Sequence, residues 1–246
     1  MRQLLSALFL FLFCCHVGAA EVRVAVSANF SGAIKRIAEA FEKDAGHKVI
    51  LSYGATGKFY AQITNGAPFD MFLSADVETP LRLEKQGFAV VGSGFTYAMG
   101  RLVLWSADPA LVENKASVLL RGDLKRVAIA APKLAPYGAA AMETLAKMSL
   151  LNLVQPKLVT GDSIGQAFSM VSSGNADVGF VAMSQVFENG KLKGGSAWVV
   201  PASLHSPLKQ DAVLLVRGKG NPAALQLLAF LKSAQSKAIM TSYGYE

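Results

Sequence analysis

Cysteine is nearly absent, with two residues in 246, adjacent at Cys14 and Cys15. Two neighbouring thiols in an apolar amino-terminal stretch cannot staple a fold, so a disulfide scaffold is excluded. Histidine is scarce as well, at three residues. A His-rich metal centre is thereby ruled out, and most neutral-pH acid–base catalysis lacks its commonest residue. Charged residues make up 17% of the chain, and no dense Lys/Arg tract interleaved with aromatics occurs, as nucleic-acid binding would need. No apolar run reaches the ~20 residues of an ordinary transmembrane helix. There is no repeat at a fixed period and no low-complexity linker. What is present is a 52% hydrophobic composition, which excludes an intrinsically disordered chain.

The amino terminus has the order of a secretory signal. Arg2 is the positive start, Leu4 to Cys15 the apolar stretch, and Val17-Gly18-Ala19-Ala20 the small-residue region before a cut at Glu21. Residues 1–20 are therefore expected to leave the mature protein, which is directed to the periplasm. Acylation at Cys14 or Cys15 is the alternative, and the bulky Phe13 argues against it. Removal of Arg2 lowers the formal net charge from +7 to +6. Only His47 and His205 remain as histidines, and no thiol remains. The spread of positive charge is expected to be an ordinary solvated basic surface, with long-range steering of small anions as the alternative.

From Glu21 onward strand and helix patterns alternate. Val22 to Val26, Lys48 to Tyr53 and Asp70 to Leu73 read as strands, and Ser31 to Lys43, Gly57 to Asn65 and Val77 to Gln86 as helices. The rhythm continues with strands at Leu102 to Trp105, Val127 to Ala130, Lys157 to Thr160, Val178 to Val181, Ala197 to Val200 and Ala212 to Val216. Helices are expected at Tyr137 to Met148, Ser163 to Ser172, Ala223 to Lys232 and Ala234 to Ser242. Such alternation predicts an α/β fold with mainly parallel sheets flanked by helices. The strands exceed one sheet of typical size, so two lobes are expected, with a ligand cleft between them. Phe95 to Trp105 and Pro207 to Val216 are the candidate crossings. Lobe one then comprises 21–100 and 213–246, and lobe two 101–212. His47 is expected to be a solvated histidine at a helix end, Trp105 and Trp198 core or hinge packing, and Gly190 to Ser196 a surface loop.

Four turns share a strand–turn–helix pattern rich in small polar residues. They are Ser27-Ala28-Asn29-Phe30-Ser31-Gly32, Gly54-Ala55-Thr56-Gly57, Pro136-Tyr137-Gly138 and Gly161-Asp162-Ser163-Ile164-Gly165. Helix N-termini offer unpaired N–H groups and a partial positive charge, which suit an oxyanion. In parallel sheets such turns fall at the carboxyl ends of strands, where ligands bind. Ordinary capping by Asn29, Ser31, Thr56 and Ser163 explains any one turn alone; four of them point to an anion cleft. Lys58 is their only basic residue, so recognition rests on neutral dipoles. About six donor bonds to a charged guest at ~1.5–3 kcal/mol each give roughly 9–18 kcal/mol gross. Micromolar binding needs about 8 kcal/mol, so donors alone suffice.

A competing motif is Gly161-Asp162-Ser163-Ile164-Gly165, which matches G-x-S-x-G between a strand and a helix. A secreted serine hydrolase would use Ser163 as nucleophile, with Asp177 or Asp211 as the acid and His205 as the only later histidine.

Longer segments carry a resemblance: Ala67-Pro68-Phe69-Asp70, Phe72-Leu73-Ser74-Ala75-Asp76, Phe95 to Ser106, Ala135-Pro136-Tyr137-Gly138, Gly179-Phe180-Val181-Ala182 and Tyr243-Gly244-Tyr245. With the four turns and the signal, these make the chain from Val22 to Tyr245 resemble the periplasmic molybdate-binding proteins of ABC transporters, which are type II periplasmic substrate-binding proteins. The resemblance implies no catalysis and no cofactor. It implies a monomer that closes two lobes on molybdate or tungstate and delivers it to an inner-membrane permease. Position by position it implies Asn29, Thr56, Tyr137, Ile164 and Ala28 at the ligand. Ala28 lacks the hydroxyl that some relatives carry, for which Ser27 would compensate, and Ala182 stands where another branch uses a Tyr. Molybdate and tungstate are full dianions at neutral pH and suit a donor-only site. Sulfate is the smaller donor-only alternative. Phosphate keeps a proton and wants an acceptor, for which Asp162 is the candidate.

Overall fold

The computed structural model describes residues 19–113 and 116–246. The expected signal core, with Cys14 and Cys15, lies outside the described residues. The first sheet contains β1 (Glu21–Ser27), β2 (Lys48–Gly54), β3 (Met71–Leu73) and β4 (Phe95–Gly100). The second contains β5 (Leu102–Ser106), β6 (Val127–Ala130), β7 (Leu158–Gly161) and β8 (Val178–Ala182). A hairpin of β9 (Phe187–Glu188) and β10 (Lys191–Leu192) follows, then β11 (Ser196–Val199) in the second sheet and β12 (Leu208–Leu214) in the first. Strand order is β2-β1-β3-β12-β4 in one lobe and β11-β5-β8-β6-β7 in the other.

Parallel pairing, as the alternation predicts, joins β1 to β2 and β3, and β6 to β7 and β8. Antiparallel pairing comes with the crossing strands: β12 pairs with β3 and β4, and β5 with β8 and β11. These strands enter from the opposite lobe and so run against their neighbours. The outward crossing falls at Arg101, between β4 and β5, within the predicted segment. The return differs from expectation. All of β12 belongs to the first sheet, so the chain has come back before Leu208, and 208–212 are part of lobe one. Leu208, Gln210 and Asp211 to Leu214 are all buried. Lys209 is exposed between them, but the buried Gln210 and Asp211 are polar, so the start of this strand carries no apolar period-2 signal.

The helices are α1 (Ser31–Ala45), α2 (Thr56–Thr64), α3 (Glu78–Lys85), α4 (Pro136–Lys147), the short α5 (Leu151–Val154), α6 (Ile164–Ser172), the short α7 (Met183–Val186), α8 (Pro222–Phe230) and α9 (Ala234–Ser242). Helix α1 places Ile34, Ile37, Ala38 and Phe41 on one buried stripe and ends at Gly46, whose φ of 68° is the left-handed cap that glycine adopts without strain. Along β1, Val22, Val24 and Val26 pack with α1, α8 and α9, while Ala25 packs on the opposite face with Phe59 of α2 and Leu83 of α3. Helices on both faces explain why the strand reads as nearly continuous apolar sequence. Each large side chain buried there contributes about 1.5–3 kcal/mol.

Two local expectations change, at His47 and at the loop after Asn189, and the one for Trp105 holds. His47 is 5% exposed: its Nδ1 accepts from the Ala20 N–H at 3.2 Å, and its Nε2 is buried without a partner. The turn at Gly46 brings it against Phe41 rather than into solvent. The stretch expected as a loop carries β10, because Asn189-Gly190 adopts positive φ at both residues and closes a two-residue hairpin. Trp105 is core, stacked on Phe168 with its Nε1 donating to the Gly194 carbonyl at 2.9 Å. Among the described residues no helix is long and apolar enough to cross a membrane.

Candidate functional site

The four turns meet. One pocket of about 10 Å³ is lined by Ser27, Ala28, Asn29, Gly54, Ala55, Thr56, Ala75, Ala135, Pro136, Tyr137 and Ile164, with no charged residue among them. That space holds roughly one water-sized sphere, so the walls must part slightly to admit a larger guest. Thr56, Tyr137 and Ile164 fall in the first turns of α2, α4 and α6, where backbone N–H groups have no intrahelical acceptor. Their converging positive ends make a dipolar cradle for an anion. A larger opening of about 610 Å³ shares Thr56, Ala75, Ala135 and Pro136 with it, but its other walls include Asp76, Glu78 and Glu143 beside Lys133 and Lys209. Three carboxylates repel an anion, so the smaller pocket is the candidate site.

Capping accounts for one turn of the four. Ser163 caps α6, its side chain accepting from the Gln166 N–H. Thr56 is inside α2, not before it, and its hydroxyl instead meets the Ser27 hydroxyl at 2.8 Å and accepts from the Ala75 N–H at 3.3 Å. Ser27 thus faces the cleft. Of two hydroxyl hydrogens in that pair, one is spent inside the pair and one is left for a guest. Ala28 lines the pocket with its methyl group, close to Gly165 of the other lobe.

Asn29 is 1% exposed and spends its amide hydrogens inside the protein. Its Nδ2 donates to Gln210 Oε1 at 2.8 Å and to the Tyr245 hydroxyl at 3.1 Å, leaving Oδ1 buried without a partner. Its contribution as a donor is therefore its backbone N–H. Gln210 Nε2 donates to the Tyr137 hydroxyl at 3.2 Å, and Gln210 Oε1 accepts from the Tyr97 hydroxyl at 3.0 Å. Gln210, Tyr97, Tyr245 and Ser184 are functional neighbours that sequence reasoning missed. They lie far apart in the chain, and only the Phe95 to Ser106 segment, which holds Tyr97, and the Tyr243-Gly244-Tyr245 ending offered a signal.

Burial raises the Tyr97, Tyr137 and Tyr245 hydroxyls well above their ordinary value, so all three stay protonated. Below about pH 10 folded and unfolded chains both keep these protons, and stability does not depend on them. Above it the unfolded chain loses protons that the folded chain holds, so stability falls as pH rises. Thermal melts between about pH 7 and 11 are expected to stay level on this account up to ~10 and then drop.

Two expected contributors stand elsewhere. Asp162 is exposed and bonded to Lys58 Nζ at 2.6 Å, a bridge between the lobes outside the pocket lining, so it does not offer an acceptor to a guest. Ala182 is buried at the end of β8, its N–H donating to Gln185 Oε1, and does not line the pocket. The hydrolase arrangement does not assemble. Ser163 follows the carboxyl end of β7, whereas Asp177 precedes the amino end of β8 and binds the Lys125 and Arg126 N–H groups at the opposite end of the parallel strands. Asp211 is held by Thr96 in the first sheet, and His205 Nδ1 lies 2.8 Å from the Ser206 carbonyl. Among the described residues no three His, Cys, Asp or Glu side chains group as metal ligands.

The lobes are closed on each other. Gly57 N–H donates to the Leu134 carbonyl at 2.9 Å, and Ser184 Oγ to the Asn29 carbonyl at 2.7 Å. This architecture is shared with characterised proteins. The periplasmic molybdate-binding protein of Azotobacter vinelandii superposes with a TM-score of 0.88 at 41% identity, covering 92% of this chain and 98% of that one. A molybdate-binding protein of the same organism is 54% identical over 245 residues, all of this chain and 97% of the relative. One from Rhodobacter capsulatus is 53% identical over 227 residues, 92% of this chain and 88% of its own length. The family model for bacterial extracellular solute-binding proteins matches residues 22–246. A solute-binding role agrees with a pocket of donors that has no assembled nucleophile, and the chain belongs to the bacterial extracellular solute-binding protein family.

Proposed function

We propose that this protein captures molybdate in the periplasm, after export by the segment preceding Glu21, and delivers it to an inner-membrane ABC permease. Tungstate, with the same charge and nearly the same size, is bound comparably. The observation that carries this reading is the convergence of four turns from two lobes on one uncharged pocket. The end-to-end similarity to molybdate-binding proteins supports the choice of guest. The proposed contacts are the backbone N–H groups of Ala28, Asn29, Thr56, Tyr137 and Ile164, with one hydroxyl hydrogen from the Ser27–Thr56 pair. A full dianion suits this set because every group offered is a donor. Phosphate loses its candidate acceptor, since Asp162 serves Lys58. The protein acts as a single chain, with closure shifting the population toward the state that completes the donor set.

Isothermal titration with molybdate, tungstate, sulfate and phosphate tests the reading. Micromolar or tighter binding of the first two is expected, with sulfate at least about a hundredfold weaker, a difference of ~2.7 kcal/mol. Binding of sulfate or phosphate alone rejects it.

A further inference from the structure

One buried cluster touches the first anion turn, the second lobe and the hinge together. The Asn29 carbonyl accepts from Ser184 Oγ at 2.7 Å and from the Tyr245 hydroxyl at 2.8 Å, and the two hydroxyls lie 3.0 Å apart. Asn29 follows β1 of lobe one, and Ser184 belongs to α7 of lobe two. Tyr245 arrives from the end of the chain, placed by Glu246. The Glu246 carbonyl accepts from the Met99 N–H at 2.8 Å, and its N–H donates to the Met99 carbonyl at 3.1 Å. Met99 is two residues before the crossing at Arg101, whose guanidinium lies 3.6 Å from the Glu246 carboxylate. The Arg101 carbonyl in turn accepts from the Met183 N–H, next to Ser184.

We propose that Ser184 and the carboxyl-terminal Tyr245 form a latch that holds the lobes closed over the anion pocket and slows release of its guest. Both are positioning residues, acting through the Asn29 peptide. That carbonyl is clamped by two hydroxyls, which fixes the turn whose Ala28 and Asn29 line the pocket. All three residues are at most 5% exposed, so the bonds are dry, and a partner left unmade keeps its desolvation cost. Opening separates Ser184 from Asn29 while Tyr245 stays with lobe one through Met99. The cross-lobe bonds therefore favour the closed state alone, and their loss shows in release more than in capture. The effect on retention rests on the proposed molybdate reading; the effect on closure does not.

The test uses the chain expressed from Glu21, wild type against Ser184→Ala, in two measurements. The first is stopped-flow release of molybdate. Ser184→Ala is expected to speed release about tenfold, equivalent to ~1.4 kcal/mol, with association little changed. In a Tyr245→Phe background the same substitution is expected to change release less than about threefold, since the residues act as a unit. The second measurement needs no guest. Spin labels at Lys43→Cys and Asn152→Cys, both exposed and on different lobes, report the closed population in a chain free of other cysteines after Glu21. Ser184→Ala is expected to lower that population. An unchanged closed population overturns the latch. A lowered population with an unchanged release rate overturns its part in retention. A wild type that binds no molybdate, with closure still dependent on Ser184, supports the latch and rejects the molybdate reading.

Discussion

An Asn29→Asp variant is expected to bind molybdate at least about a thousandfold more weakly than wild type, a loss of ~4 kcal/mol. Two unit charges about 4 Å apart at an effective dielectric of 20 repel by ~4 kcal/mol, and the guest carries two. No positive side chain lines the pocket to offset the new carboxylate. Asn29 Oδ1 is buried without a partner, so the added charge has no hydrogen bond waiting for it. The substitution also removes the Nδ2 donor to Gln210 and Tyr245. Titration calorimetry measures the loss, and thermal unfolding of the ligand-free variant separates it from misfolding. Affinity within tenfold of wild type in a folded variant would sink the assignment of Asn29 to the anion site.

Gly100→Ala is expected to weaken binding by roughly 5- to 150-fold through closure rather than contact, the equivalent of about 1–3 kcal/mol of overpacking. A Cβ at Gly100 would overlap the Tyr137 hydroxyl and crowd Gln210 Nε2. Gly100 ends β4 in lobe one and Tyr137 lies in α4 of lobe two, so the Tyr137 clash arises when the lobes meet, whereas the Gln210 amide, in lobe one itself, must shift in either state. The buried Tyr137 ring, 1% exposed, cannot swing aside as a surface side chain would. The variant is expected to fold normally and to populate a more open form, visible as an increased radius of gyration in small-angle X-ray scattering. Unaltered affinity would show that the close approach at Gly100 has no part in binding.

Much of the site was legible in the chain because it is built from local signals. A strand, a short turn with Gly, Ser, Thr or Asn, and a helix can each be read from neighbouring residues, and the helix N-terminus supplies the donor wherever it lies. The turns that carry Thr56, Tyr137 and Ile164 were read in this way, and the three residues line one pocket; their place at the anion came from the family resemblance and stands as a proposal. What failed were roles that depend on distant partners. Asp162 sits in the right turn, yet Lys58 across the cleft draws it to the surface. Asn29 lines the pocket, and only the tertiary structure shows that its amide serves Gln210, 181 residues away. Ser163 matched a hydrolase pentapeptide, but the partners of such a motif must come from the same end of the sheet, and Asp177 lies at the amino end of β8.

The sequence alone therefore determined the alternation of strands and helices, the position of the outward crossing and the absence of basic side chains at three of the four turns. Hydrophobic period, capping residues and composition are properties of adjacent residues. Tertiary structure decided that the four turns share one hollow, that β12 returns to the first sheet before Leu208, and that Tyr245 at the chain's end reaches Asn29 near its start. Those facts depend on which surfaces bury one another, and burial between segments two hundred residues apart leaves no periodic trace in either.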